Sequence, residues 1–227
     1  MKRLETVMIL REEDKTEIRK KLSGLDKSVR LLFFTQQLAG TCQFCFETEQ
    51  LLKQVVELSD KLAMETKNFI TDNADVAAYE IEQIPATVVR GEKDFGIRFY
   101  GIPSGYEFAS FLETLMLVSK NESGLSPETK EKVKSIDKPM KIKVFVTPTC
   151  PYCPRAAITS VQLAMENQHI TTDILEITEF PHLAQKHSVM GVPKVIINET
   201  HGFEGALPES LFVEHVINVA KGNPKQV

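Results

Sequence analysis

The chain has 227 residues, a hydrophobic fraction of 42% and a formal net charge of −4 at pH 7. This length predicts one or two domains, and the slightly acidic balance gives no sign of a nucleic-acid-binding surface. No run of about 18 apolar residues predicts a membrane span. The apolar stretch within the opening MKRLETVMILREEDK is too short for a secretory signal. We therefore expect a cytoplasmic protein that binds neither nucleic acid nor a membrane.

The first half of the chain predicts alternating helices and strands, from the spacing of its apolar residues and its glycine and proline positions. In chain order these are a helix at 11–23, a strand at 29–35, a helix from Cys45 whose apolar period extends to Leu62, a strand at 67–71, a helix at 74–80, strands at 86–90 and 95–100, and a helix at 104–118.

The second half predicts the same order of elements. Ser126 followed by Pro127 indicates the start of its first helix. The predicted elements are a helix at 126–135, a strand at 141–146, a helix at 151–167, a strand at 172–177, a helix at 179–187, strands at 194–198 and 201–204, and a helix at 208–221. The polar stretch SKNESG lies between the halves, so we expect units at 1–119 and 120–227. This alternation predicts an α/β fold with a partly parallel sheet.

All four cysteines lie in two C-x-x-C motifs, CQFC in the first half and CPYC in the second. Pro85 follows Cys42 by 43 residues, and Pro193 follows Cys150 by the same 43 residues. Each proline opens a strand-like run, IPATVV or VPKVII. A single repeat of about 108 residues indicates a duplicated domain and not a solenoid of short repeats.

The spacing of each cysteine pair suits reversible disulfide chemistry. If the motif opens a helix, residues i and i+3 lie about 5–6 Å apart on one face, within the roughly 4.4–6.8 Å that a disulfide spans. The unpaired N–H groups of a helix start favour the thiolate form. We therefore expect Cys42 and Cys150 to attack, and Cys45 and Cys153 to resolve the mixed disulfide. With Cys150 as N-cap, Pro151 would take the first helical position.

The strand, C-x-x-C, helix and later proline resemble the thioredoxin/glutaredoxin superfamily, and CPYC is typical of glutaredoxins. Two such units resemble the glutaredoxin-like protein disulfide oxidoreductases of thermophilic bacteria and archaea. The resemblance implies two tandem thioredoxin-like folds, each a central mixed four-stranded sheet flanked by helices. It also implies cis peptide bonds before Pro85 and Pro193, and substrate binding by the backbone of Ile84 and Val192.

The resemblance further implies thiol–disulfide exchange on protein dithiol and disulfide substrates: oxidation, reduction and isomerisation. The electron donor would be a thioredoxin-reductase-like flavoenzyme. We expect no bound cofactor or metal, because the chain has no G-x-G-x-x-G or Walker-type loop and the prolines beside the motifs offer no ligand. One departure concerns the buried acid that thioredoxins carry six residues before the first cysteine. Val144 holds that place in the second half, and Leu32 holds it in the first when a longer loop is allowed for.

Alternative functions remain open. One is an electron-relay module of a peroxide-reductase system, resembling the N-terminal part of alkyl hydroperoxide reductase flavoproteins; such modules keep cysteines in only one of two units, whereas this chain keeps both pairs. Another is a structural zinc-binding protein. Zinc modules with four cysteines place their pairs roughly 15–20 residues apart, but 104 residues separate Cys45 from Cys150. One pair could also be a relic, and the N-terminal pair is the weaker match.

Overall fold

The computed structural model describes residues 9–36, 42–199 and 201–222. Within these ranges the chain forms eight helices and eight strands. The helices are α1 (Glu12–Leu22), α2 (Cys45–Val56), α3 (Asn73–Ala78), α4 (Tyr106–Lys120), α5 (Pro127–Lys134), α6 (Cys153–Glu166), α7 (Pro181–Lys186) and α8 (Glu209–Ala220). The strands are β1 (Val29–Thr35), β2 (Leu62–Asn68), β3 (Ala86–Arg90), β4 (Asp94–Tyr100), β5 (Met140–Val146), β6 (Ile170–Glu176), β7 (Lys194–Ile197) and β8 (His201–Glu204).

The described strands form one sheet, in the order β2-β1-β3-β4-β6-β5-β7-β8. In the first half β1 pairs parallel with β2 and antiparallel with β3, and β3 pairs antiparallel with β4. In the second half β5, β6, β7 and β8 repeat this pattern. The two predicted four-stranded mixed sheets are therefore present, and parallel pairing of β4 with β6 joins them.

Both faces of this sheet are covered, which explains the nearly continuous apolar sequence of its inner strands. Because side chains alternate along a strand, Leu31 and Phe33 enter one hydrophobic core and Leu32 and Phe34 enter the other. The larger core lies under α1, α2, α4, α5, α6 and α8, and the smaller one packs against α3 and α7. The helices thus hold the strands from both sides and fix the loops at the strand ends.

Most predicted elements are present, but two assignments were wrong. Leu62 does not continue the helix that starts at Cys45; it is the first residue of β2, and the predicted strand at 67–71 begins five residues earlier. Leu62 is apolar because it packs in the same core as the buried side chains of α2, although it does so from a strand. Its agreement with the helical spacing is a coincidence. The helices also begin at the second cysteine of each motif, so Pro151 lies in the preceding turn and not at the first helical position.

The two halves meet at the loop before the CPYC motif. Gly105 packs so closely against Pro148 that a Cβ atom there would lie 2.2 Å from the Pro148 carbonyl oxygen. Helices α4 and α6 also pack against one another. The longer loop before the CQFC motif, at 35–42, lies largely outside the described residues. In the described ranges, no helix combines the length and apolar character needed to cross a bilayer.

Candidate active sites

The C-terminal motif holds its two cysteines in a buried turn at the start of α6. Cys150 is 8% exposed and Cys153 is fully buried. The backbone N–H of Cys153 donates a hydrogen bond to Cys150 Sγ at 3.2 Å, and the Cys150 thiol donates to the Val192 carbonyl oxygen at 3.5 Å. A helix-start N–H aimed at the first sulfur stabilises negative charge on it. The first cysteine is therefore the better placed of the two to attack a disulfide.

The second cysteine of this motif is held as a neutral thiol. Burial raises the pKa of Cys153 far above its usual value, and the sulfur of Cys150 and the nearby carboxylate of Glu107 raise it further. A thiol in this state cannot attack until a base removes its proton. The surroundings of Cys153 thus disfavour its thiolate form, and the attacking and resolving roles of the two sulfurs stay a prediction.

Glu107 is a buried acid contributed by the first half of the chain. It lies in the first turn of α4, is 2% exposed and accepts a hydrogen bond from Ser110 Oγ at 3.2 Å. Its Oε1 atom is buried and has no hydrogen-bond partner among the described residues. Burial raises the pKa of Glu107 to about 7, and the neighbouring Glu176 raises it as well. This carboxyl can therefore gain or lose a proton near neutral pH.

The N-terminal motif holds its cysteines in the same kind of turn at the start of α2. Cys42 and Cys45 are joined by a disulfide with a Cα–Cα distance of 5.5 Å. Cys42 is half-buried, whereas Cys45 is 5% exposed. The expectation that the second cysteine is the more covered is therefore confirmed at both motifs. The two pairs differ in oxidation state in this structure, since Cys150 and Cys153 are free thiols.

A groove of about 460 Å³ opens at the N-terminal motif. One wall comes from the first half and includes Cys42, Ile84 and Pro85. The opposite wall comes from the second half and runs from Thr178 to His182. This groove brings three of the predicted site residues together and adds a wall that sequence reasoning did not predict.

The two proline loops are built alike. The Ile84–Pro85 and Val192–Pro193 peptide bonds are both cis, as expected. The Pro85 carbonyl oxygen accepts a hydrogen bond from Gly101 N–H at 2.9 Å, and the Pro193 carbonyl oxygen accepts one from the corresponding Gly205 at 2.7 Å. Both prolines are buried, and the residues before them are half-buried. Each loop therefore presents the backbone of one aliphatic residue beside a cysteine motif.

The structure corrects one position in the sequence comparison of the halves. Val144 pairs with Val195, two residues after Pro193. The residue two places after Pro85 is Thr87, and it pairs with Phe33. Phe33, and not Leu32, is thus the counterpart of Val144, because the loop length had to be assumed from sequence. Both positions are fully buried and apolar, so neither strand supplies an acid.

Sequence reasoning missed two glutamates near the motifs, the buried Glu107 and the half-buried Glu179. A signal for Glu107 existed, because it shares the helical spacing of the buried Ser110, Phe111 and Leu115 and so lies on the covered face of α4. An acid on the apolar face of a helix is a candidate functional group. Glu179 follows β6 in a connecting segment, where no periodicity marks it.

The described residues contain no group of three or more histidine, cysteine, aspartate or glutamate side chains that could hold a metal ion. The sulfurs of Cys42 and Cys45 are also bonded to one another, whereas zinc requires thiolate ligands. The geometry of each cysteine pair suits reversible disulfide exchange.

Comparison with known proteins agrees with this geometry. A family model described as a thioredoxin domain matches residues 140–218. The structure superimposes on a protein disulfide oxidoreductase from Aeropyrum pernix with a TM-score of 0.88 and 30% identity, covering 96% of this chain and 97% of that one. The chain belongs to the thioredoxin/glutaredoxin superfamily. It is a thiol–disulfide oxidoreductase built from tandem thioredoxin folds.

Other members of the superfamily that resemble this chain are parts of larger proteins. The N-terminal domain of alkyl hydroperoxide reductase AhpF from Enterococcus faecalis has a TM-score of 0.84 and 26% identity, covering 91% of this chain and 99% of that one. Curated alkyl hydroperoxide reductase proteins of the same AhpF type, from Pseudomonas aeruginosa and Escherichia coli, are 27% and 24% identical over 65% and 81% of this chain. The chain spans only 26% and 33% of their lengths.

Proposed function

We propose that this thiol–disulfide oxidoreductase acts on protein substrates through both cysteine pairs, one in each of two units at 1–119 and 120–227. It would oxidise dithiols, reduce disulfides and isomerise wrong pairings. The observation that carries this proposal is the contact of Cys150 Sγ with both the Cys153 N–H and the Val192 carbonyl. These two contacts support an attacking role for Cys150, because they lie between the second cysteine and the backbone that would bind the substrate.

In the proposed reaction, the Cys150 thiolate attacks a substrate disulfide, forms a mixed disulfide with one substrate sulfur and releases the other substrate sulfur as a thiolate. Cys153 then loses its proton to the Glu107 carboxylate, and its sulfur attacks Cys150 Sγ. The Cys150–Cys153 bond forms, and the second substrate sulfur leaves as a thiolate that takes up a proton. Glu107 thus fills the role of the acid that Val144 does not supply.

Exposed apolar side chains support a protein substrate. Tyr152, inside the CPYC motif, is 69% exposed, and Met190, two residues before Val192, is 91% exposed. Large apolar groups left in water beside a reactive sulfur offer a contact surface for a polypeptide. The backbone N–H and C=O groups of Val192 and Ile84 would pair with an extended substrate segment, as a strand pairs with a sheet edge.

The test is refolding of a protein with scrambled disulfides, with each pair disabled in turn. The Cys42→Ser/Cys45→Ser and Cys150→Ser/Cys153→Ser variants should each retain measurable activity, and the variant with all four changes should have none. Activity that depends on one pair alone would show that the other is a relic. Activity in the variant without cysteines would contradict the proposal.

A second candidate function is electron relay to a peroxide-reducing protein, favoured by the similarity to AhpF domains. In either function we propose a thioredoxin-reductase-like flavoenzyme as the electron donor. The two candidates differ in the acceptor. Reconstitution with such a reductase and either a disulfide-bonded protein or a thiol peroxidase distinguishes them. Faster turnover with the peroxidase than with the disulfide-bonded protein would favour the relay.

A further inference from the structure

The groove at the N-terminal motif contains an acid that comes from the other half of the chain. Glu179 follows β6 and lines the same groove as Cys42. Its Oε1 atom accepts a hydrogen bond from the Ile102 N–H at 2.6 Å. Its Oε2 atom is buried and has no hydrogen-bond partner within the described ranges. A buried carboxylate oxygen without a hydrogen-bond donor is costly to keep charged. The presence of an acid at this position therefore needs an explanation.

Burial and the neighbouring charges favour the protonated form of the Glu179 carboxyl. Burial raises its pKa to about 7, and the carboxylates of Glu176 and Glu47 raise it further. Glu47 lies in the first turn of α2, which starts at Cys45. The groove also contains Glu82 and His182. No lysine or arginine forms an ion pair with Glu179 in the described part of the chain, so its carboxyl stays available for proton exchange.

We infer that Glu179, supplied by the C-terminal unit, is the acid–base partner of the Cys42–Cys45 pair. The inference rests on the proposed function, because it concerns the exchange reaction at this pair. It also accounts for the apolar Phe33 at the place where a thioredoxin-type acid would lie. Each cysteine pair would then draw its acid from the opposite unit, Glu107 serving one and Glu179 the other.

In the proposed step the cysteine pair is reduced and the substrate dithiol is oxidised. A substrate thiolate attacks Cys42 Sγ, the Cys42–Cys45 bond breaks, and Cys45 leaves as a thiolate that takes the proton of the Glu179 carboxyl. The second substrate thiol gives its proton back to Glu179, attacks the mixed disulfide and releases Cys42. Two electrons pass from the substrate dithiol to the cysteine pair, and the substrate becomes a disulfide. In the reverse direction Glu179 accepts the proton of Cys45.

The test uses the full chain with Cys150→Ser and Cys153→Ser, so that only the N-terminal pair reacts. Reduction of this pair by dithiothreitol is followed in single turnovers from pH 5.5 to 9 by acid quenching and mass analysis of alkylated thiols. Rates are expressed per dithiothreitol thiolate. We expect the parent rate to fall by more than about tenfold above pH 7, as the acid loses its proton. With Glu179→Gln the profile should be flat and, at pH 6, lower by on the order of 10²-fold.

Glu57→Gln is the matched control, because Glu57 is an exposed acid at the far end of α2, and it should follow the parent profile. A Glu179→Gln profile within about twofold of the parent at every pH would overturn the inference and leave the proposed function intact. A parent that is not reduced at any pH would overturn both. If Glu179→Gln fails to fold, Glu179→Asp replaces it: a break moved along the pH axis supports the inference, and an unmoved break overturns it.

Discussion

The backbone N–H of Tyr106 donates a hydrogen bond to the carbonyl oxygen of Pro148 at 2.9 Å. Tyr106 begins α4 of the first unit, and Pro148 precedes the CPYC motif of the second by two residues. The orphan N–H groups of a helix start need acceptors, and this one is satisfied across the junction of the units. The next residue in α4 is Glu107, so the same contact fixes the buried acid near the cysteines.

This junction predicts a selective effect of Gly105→Ala. Gly105 has a φ of +58°, and an added Cβ would meet backbone atoms of Pro148. We expect a loss of roughly 1–3 kcal/mol in the free energy of unfolding, measured by urea denaturation. The reaction rate of Cys150 should fall more, relative to wild type, than the reaction rate of Cys42. Gly24→Ala is the control, because its nearest neighbour is the flexible end of Met116. Equal slowing of both cysteine pairs would contradict the prediction.

The role of Glu107 predicts a pH effect on resolution at the C-terminal pair. Release of substrate from the mixed disulfide at Cys150 should speed up as pH rises through about 7, where Glu107 becomes a base. Glu107→Gln should remove this rise and slow release by on the order of 10²-fold at pH 8. Quenched-flow analysis of the mixed disulfide measures it. Glu113→Gln, which changes a more exposed acid on the same helix, should leave the profile unchanged.

The same carboxyl predicts a pH dependence of stability. The pKa of Glu107 is about 7 in the folded chain against a usual 4.5, so its neutral form favours folding. This contribution is complete below pH 4.5 and is lost as pH rises to about 7. The wild-type free energy of unfolding should therefore fall between pH 4.5 and 8 by ~3 kcal/mol more than that of Glu107→Gln. Parallel falls in the two proteins would show that Glu107 is not the cause.

An ion pair between the half-buried Lys141 and the buried Asp173 predicts strong coupling between two substitutions. Lys141 Nζ lies 3.2 Å from Asp173 Oδ2, and the Asp173 side chain is 4% exposed. Lys141→Met would leave a buried carboxylate without this cation and should cost about 3–5 kcal/mol. Lys141→Met/Asp173→Asn should recover more than half of that loss in a double-mutant cycle by chemical denaturation. Additive losses would contradict the coupling.

The features that occur in both halves of the chain could be predicted from the sequence. The two cysteine motifs, the equal distances to Pro85 and Pro193 and the shared order of elements predicted tandem α/β units, because duplicated patterns confirm one another. The edge strand β2 was placed too late, since LAMETKN has few of the β-branched and aromatic residues that mark strands. Its position is decided by pairing with β1 and not by its own composition.

The contacts between the units could not be predicted in the same way. The sequences of β4 and β6 do not show that these two strands pair, because the hydrogen bonds between parallel strands join backbone groups and not side chains. The covered helix face marks Glu107 as a candidate acid, but only the pairing of the halves shows that Glu107 lies near Cys153 and that Glu179 lines the groove with Cys42. The proposed acid–base roles therefore depend on contacts between the halves that no local sequence pattern predicts.

The most direct test of the account is trapping of the attacking cysteine at each site. The Cys153→Ser and Cys45→Ser variants, each with the other pair changed to serine, are incubated with a disulfide-bonded protein and analysed by intact mass. We predict one substrate chain attached through Cys150 or Cys42, respectively, and released by dithiothreitol. Absence of an adduct at either site, or an adduct that persists when Cys150 or Cys42 is itself changed to serine, would contradict the account.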